Sequence, residues 1–126
     1  MNRFLVDSHP LIWWATEPLN LSEEARIALA GGRNQVFASH ASAWELAIKE
    51  SRGRLILPEP SETLFVKSRF YPLPITLAHL SELKTLPFHH KDPFDRLLIA
   101  QARVEKLTLV TRDAEIMKYD VPMIAA

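Results

Sequence analysis

The chain has 126 residues, with 15 Lys and Arg against 15 Asp and Glu and no cysteine. That length suits a single domain over residues 1–126 whose core needs no staple. The missing cysteines exclude a disulfide framework, a thiolate nucleophile and a zinc–thiolate centre, and a net charge of zero counts against a strongly basic nucleic-acid coat or an acidic disordered tail.

Phe4-Leu5-Val6 is a short apolar run that stops at Asp7, the pattern of a strand covered on both faces. Ser8–Thr16 reads as a helix with Pro10 near its start. Ser22, the acids Glu23 and Glu24, and the pair Gly31-Gly32 bracket a second helix over 23–30. Gln35–Ser39 is a strand. Ala41 to Ser51 is a helix with Trp44, Ala47 and Ile48 on one face, closed by Gly53. Pro58 and Pro60 mark a loop, and Ser61–Phe70 reads as helical. Leu73-Pro74-Ile75 is a short strand that Pro74 confines to an edge. Leu77–Leu83 is a helix, Thr85–Lys91 a loop, and Pro93–Lys106 a long helix behind an Asp-Pro start. Leu107–Val110 is a strand, a brief helix follows Asp113, and Val121–Ile124 closes the chain as a last strand. Alternating strands and helices predict an α/β fold, a parallel sheet between two helical layers.

Met1–Val6 carries one Arg before Asp7, and Pro10–Ala15 is too short for the apolar region of a secretion signal. No apolar run approaches the roughly 20 residues that span a bilayer. The expected location is the cytoplasm, with no membrane partner.

In open α/β sheets, ligands bind beyond the carboxyl ends of the strands. Asp7 follows the first strand directly, and Asp113 follows the Leu107–Val110 strand closely. Glu45 lies early on the helix after the second strand, and Asp95 lies in the first turn of the long helix. Right-handed crossovers open all four junctions on the same side. Carboxylates gathered in this way repel one another unless a cation joins them, and oxygen ligands select Mg²⁺ or Mn²⁺. Each acid also has a plainer use. Asp7 and Asp113 precede helices and suit N-capping. Asp92, Pro93 and Asp95 resemble an acidic capping box, and Glu45 pairs with Lys49 at i+4. The hydroxyls Ser8, Ser39, Ser42 and Thr111 lie near the same junctions but lack a paired base, which sets a nucleophilic role aside. His40, His79, His89 and His90 form no zinc spacing and read as loop or surface residues, with His89 and His90 placed to meet a phosphate. No G-x-G-x-x-G or P-loop is present.

Four stretches together resemble the PIN-domain toxins of the VapC type: Phe4–Trp14 around Asp7, Ser39–Lys49 around Glu45, His90–Ala102 around Asp92-Pro93-Phe94-Asp95, and Leu109–Asp113. They occur in the family's order and span nearly the whole chain. The family's Asp-Thr-His opening is Asp7-Ser8-His9 here, which keeps the hydroxyl. The resemblance implies that Asp7, Glu45, Asp95 and Asp113 are the catalytic, metal-binding acids of a Mg²⁺- or Mn²⁺-dependent endoribonuclease. It makes Asp92 an accessory acid and leaves open whether Asp92 or Asp95 ligates directly, while Ser8 and Thr111 are accessory as hydroxyls beside carboxylates, able to orient a ligand. It also implies an α/β/α sandwich, a homodimer, an RNA substrate whose cleavage halts translation, and a VapB-type antitoxin that blocks the site. Trp13 and Trp14, about 100° apart on one helix, resist burial in one core, and Phe65, Phe70 and Tyr71 are suited to line a groove for an antitoxin helix.

Two other classes compete. A phosphoacceptor receiver domain shares the topology but wants an acidic pair after the first strand, where Asp7 is followed by Ser8. A silent binding module would keep the fold without needing all four acids. Setting aside Asp7, Glu45, Asp92, Asp95 and Asp113 leaves ten acids against fifteen bases, so the zero net charge conceals a basic surround. Lys49, Lys91, Arg96 and Arg112 adjoin the acids and are the expected contacts to substrate phosphates.

Overall fold

The computed structural model describes residues 2–126. Five strands form one parallel sheet: β1 (Arg3–Val6), β2 (Gln35–Ser39), β3 (Tyr71–Leu73), β4 (Thr108–Thr111) and β5 (Met123–Ala125). The spatial order is β3-β2-β1-β4-β5, so the first strand is central. Six α-helices connect them: α1 (Ser8–Thr16), α2 (Glu23–Ala30), α3 (His40–Ser51), α4 (Ser61–Lys67), α5 (Leu77–Leu83) and α6 (Pro93–Glu105). Short 3₁₀ turns lie at Pro18–Asn20 and Ile116–Lys118.

The period of two along β1 sorts its side chains between two cores. Phe4 and Val6 join Leu11, Ala25, Leu29 and Leu46 on one face. Leu5 joins Leu98, Ile99, Ala102 and Tyr119 on the other. These two cores make the three-layer α/β/α arrangement that the alternating pattern predicts.

The differences from the sequence expectation are local. The third strand lies two residues earlier than Leu73–Ile75 and pairs Ala38 with Pro72. A proline still occupies the sheet edge, where its missing N–H breaks no ladder. Helix α4 ends at Lys67 rather than Phe70, and Arg69 then takes φ 62°, which no helix continues through. Helix α6 ends at Glu105, with Lys106 as a left-handed cap at φ 57°. The last strand begins at Met123 rather than Val121, since Val121 N–H bonds back to the Tyr119 carbonyl. Gly53, at φ 68°, closes α3 as its backbone requires.

Candidate active site

The carboxyl ends of β1, β2 and β4 and the N-terminus of α6 meet at a cleft of about 390 Å³. Asp7, Glu45, Asp92, Asp95 and Asp113 all line it, with Ser8 beside them and Lys49 and Arg112 on its rim. The topology therefore brings together the four acids expected to converge and adds Asp92 as a fifth.

Local structure explains how each acid is held. Asp7 caps α1 through Oδ1, which accepts the Ser8 N–H at 2.7 Å, and its Oδ2 accepts the buried Thr111 hydroxyl at 2.8 Å. Asp92 caps α6, its Oδ1 accepting from the N–H groups of Phe94 (2.8 Å) and Asp95 (3.1 Å). Asp113 Oδ1 accepts from the N–H groups of Glu115 (2.7 Å) and Ile116 (3.3 Å). Glu45, only 6% exposed, differs from the rest. Its Oε2 lies 3.4 Å from Lys49 Nζ, the i+4 pair expected of it, while its Oε1 is buried with no hydrogen-bond partner.

An unpartnered buried carboxylate oxygen is strongly disfavoured. Glu45 also belongs to a group in which it, Asp92 and Asp95 each offer one carboxylate oxygen within 4.8 Å of the others. An all-oxygen set of this charge fits a hard divalent cation. Electrostatics agree. Burial pushes the Asp95 carboxyl up to about 7, the charges of Asp7 and Asp92 add to the rise, and a hydrogen bond from His90 opposes it. Burial likewise raises Asp7, against the hydrogen bonds from Thr111 and Ser8. Both groups resist ionisation until positive charge arrives beside them.

Among the expected phosphate contacts, Lys49 and Arg112 face the cleft. Arg112 is tethered, since its guanidinium donates to the backbone oxygens of Ala126 and Asn20 and lies 4.4 Å from the Trp13 ring centre. Lys91 is exposed and lies outside the cleft lining. Arg96 requires a correction. It is 8% exposed and its guanidinium turns away from the cleft, donating to the carbonyl of Pro87 at 2.8 Å and to the Tyr119 hydroxyl at 3.1 Å. A cation held in that cage is a structural brace for the loop before α6, not a phosphate contact.

Ser39 is also structural. Its Oγ accepts the Ala41 N–H at 2.9 Å to cap α3 and donates to Gln101 Oε1 at 2.6 Å. Ser42 Oγ is buried without a partner. Sequence reasoning placed His90 to meet a phosphate and missed its contact with the acids. Its Nε2 lies 2.7 Å from Asp95 Oδ2 and 3.6 Å from Asp113 Oδ2. Only its place two residues before Asp92 hinted at this.

A second, mostly apolar groove of about 530 Å³ lies between α3 and α4, lined by Ala43, Phe65, Val66, Phe70 and Pro72, with His40 and Glu62 as its polar members. Phe65 and Phe70 are there as expected. Tyr71 is not, and its ring packs on Phe37 with centroids 5.4 Å apart. Against the expectation that one core would not take both, Trp13 and Trp14 each pack partly buried on the same core cluster. Trp13 lines the cleft and Trp14 packs against Phe70.

A model of the PIN domain matches residues 4–122. Ribonuclease VapC22 of Mycobacterium tuberculosis is 30% identical over 125 residues, which cover 97% of this chain and 95% of that protein. Among solved structures, VapBC2 from Rickettsia felis, bound to a DNA fragment from its promoter, matches with a TM-score of 0.74 at 14% identity over 97% of both chains. DNA-bound VapBC from Salmonella typhimurium matches with a TM-score of 0.67 at 17% identity over 98% of both. With four acidic junctions closed on one cleft and a match along almost its full length, the chain belongs to the PIN-domain family, in its VapC branch.

Proposed function

We propose that this protein is the toxin of a toxin–antitoxin pair, an endoribonuclease that uses Mg²⁺ or Mn²⁺ held by the cleft acids to cut RNA and arrest translation. The observation that carries the reading is Glu45, whose Oε1 is buried and unpartnered and whose carboxylate groups with those of Asp92 and Asp95. The likeness to Ribonuclease VapC22 supports the choice of RNA as substrate.

Glu45, Asp92 and Asp95 are the group that would hold the cation, with Asp7 and Asp113 lining the same cleft. When bound, the cation supplies the Lewis-acid chemistry of phosphodiester hydrolysis. The protein's own residues do the rest. Thr111 and the Ser8 N–H fix the orientation of Asp7, so that carboxylate needs no reorganisation on binding. The capping bonds of Asp92 and Asp113 hold one oxygen of each in the same way. Lys49 and Arg112 bring positive charge to the rim, where a substrate phosphate approaches.

The antitoxin half of the reading rests on the apolar groove lined by Phe65, Val66 and Phe70, whose shape and chemistry suit the apolar face of a partner helix. The partner in the similar VapBC assemblies supports it.

The test is cleavage of a labelled structured RNA by the purified chain with Mg²⁺, with Mn²⁺, and with excess chelator. Glu45→Gln and Asp95→Asn should each lower the rate at least a hundredfold, and chelator should abolish it. Equal cleavage by wild type and both variants would refute the site.

A further inference from the structure

His90 lies at the edge of the candidate cleft, and the family reading gives it no task. We propose that His90 is a positioning residue: its imidazole is locked as the Nε2–H tautomer, donates that hydrogen to Asp95, and does not itself ligate the cation. The proposal rests on the metal-dependent reading above and assigns the role of one side chain within it.

The reasoning starts from the other ring nitrogen. Nδ1 lies 3.0 Å from the Lys91 N–H and 3.4 Å from the Asp92 N–H. Backbone amides can only donate, so Nδ1 is the acceptor. A neutral imidazole that accepts at Nδ1 carries its proton on Nε2. That proton points at Asp95 Oδ2, 2.7 Å away, with Asp113 Oδ2 next nearest at 3.6 Å. His90, Asp95 and Asp113 do bring ligand atoms within 4.8 Å of one another. Distance alone would make them a mixed nitrogen–oxygen metal site. Ligation through Nε2 requires a bare nitrogen there. A neutral ring could supply one only by moving its proton to Nδ1, straight against two N–H donors. Ligation through Nδ1 is blocked by the same amides. The ring is a donor to Asp95, and the all-oxygen group of Glu45, Asp92 and Asp95 keeps the cation.

The backbone of His90 is fixed as firmly as its ring. Its N–H donates to the Tyr119 hydroxyl at 3.0 Å, and Arg96 Nη1 donates to the same oxygen at 3.1 Å. Arg96 also holds the Pro87 carbonyl and lies 4.4 Å from the centre of the Phe88 ring. The residue that follows Asp95 on α6 therefore braces the loop that presents His90 back to Asp95. One carboxylate oxygen is held by this loop, and the side chain arrives at the metal group already oriented.

The deciding measurement is a long-range ¹H–¹⁵N correlation spectrum of the imidazoles in the full-length ¹⁵N-labelled chain at about pH 8, above the ordinary histidine range. The spectrum of His90→Gln identifies its peaks among the five histidines. We expect a protonated Nε2 and an acceptor Nδ1 in the metal-free protein, unchanged at saturating Mg²⁺. In calorimetry, His90→Gln, whose amide can still donate, should bind Mg²⁺ within about threefold of wild type, and His90→Ala about tenfold more weakly. A protonated Nδ1 in the free protein, loss of the Nε2 proton when Mg²⁺ is added, or equal losses in the two variants would each overturn the proposal. Failure of the wild-type chain to bind Mg²⁺ would instead sink the metal-dependent reading, with the tautomer decided separately in the metal-free protein.

Discussion

At Asp7, Asp92 and Asp113, capping does not exclude the proposed contact with a cation. Each has an oxygen that satisfies the N–H groups of the turn or helix that follows, and a carboxylate has a second oxygen and further lone pairs to offer. The sequence could raise both roles but had no means of choosing, because the choice lies in where the second oxygen faces. Glu45 was easier to read, since an acid set in an apolar helical stretch needs a partner, and Lys49 supplies only half of one. The residue scale also sets a pH dependence. Asp95 is held at about 7 in the fold, against an ordinary value of 3.8, and Asp7 is raised as well. Between those values the folded chain binds a proton that the unfolded chain has lost, so stability falls as pH rises through about 7 and grows as pH falls toward 4. Beyond burial, the charges of Asp7, Asp92 and Glu45 strengthen this and the hydrogen bond from His90 opposes it. In chelator, the thermal midpoint should rise between about pH 7.5 and about pH 5.5, and Asp95→Asn should flatten the rise. A midpoint that falls over that interval in wild type would contradict the raised value.

At the scale of elements, strands and helices were legible where the pattern was strong. Leu5, Leu98 and Leu109 follow core periods that nothing local disputes. Boundaries moved where a single backbone angle decided them, as at Arg69 and Lys106. The role of Arg96 was illegible for another reason. Its partners, Pro87 and Tyr119, belong to a loop and a 3₁₀ turn without periodicity, and only the tertiary fold brings them to it. The same is true of the buried link between α6 and the start of α3. Gln101 is fully buried, accepts the Ser39 hydroxyl, and lies 3.3 Å from His79 Nδ1. Because Ser39 also caps α3, this link holds the helix that carries Glu45. Gln101→Leu keeps the bulk but strands the Ser39 hydroxyl, and should destabilise the fold by about 2 kcal/mol in urea unfolding. A loss below about 0.5 kcal/mol would show that the link contributes little.

At the scale of the whole molecule, the sheet order puts β1 at the centre, with a crossover to either side, and ligand sites in such sheets form at that reversal. That placement made the convergence of acids predictable without a single distance. Charge sorts by region in the same way. Five acids line the cleft, and Lys49, Arg52 and Arg54 gather in an adjoining hollow beside Phe94 that Glu45 and Asp92 also line. If three such cations meet phosphates, binding of a non-cleavable single-stranded analogue should weaken with salt at a log–log slope of about −2. Anisotropy titrations between about 50 and 200 mM salt would measure it, and a slope near zero would rule out that rim as the contact. The pairing of β1 with β4 has a further consequence, for the order of events during synthesis. Asp7 emerges from the ribosome early, but Thr111, which orients it, is 104 residues later, and Asp95 and Asp113 also come from the last third of the chain. A nascent polypeptide therefore carries no assembled carboxylate cluster until the stretch from Asp92 to Asp113 has been made. The proposed nuclease centre is unassembled for as long as the chain before Asp92 is being made.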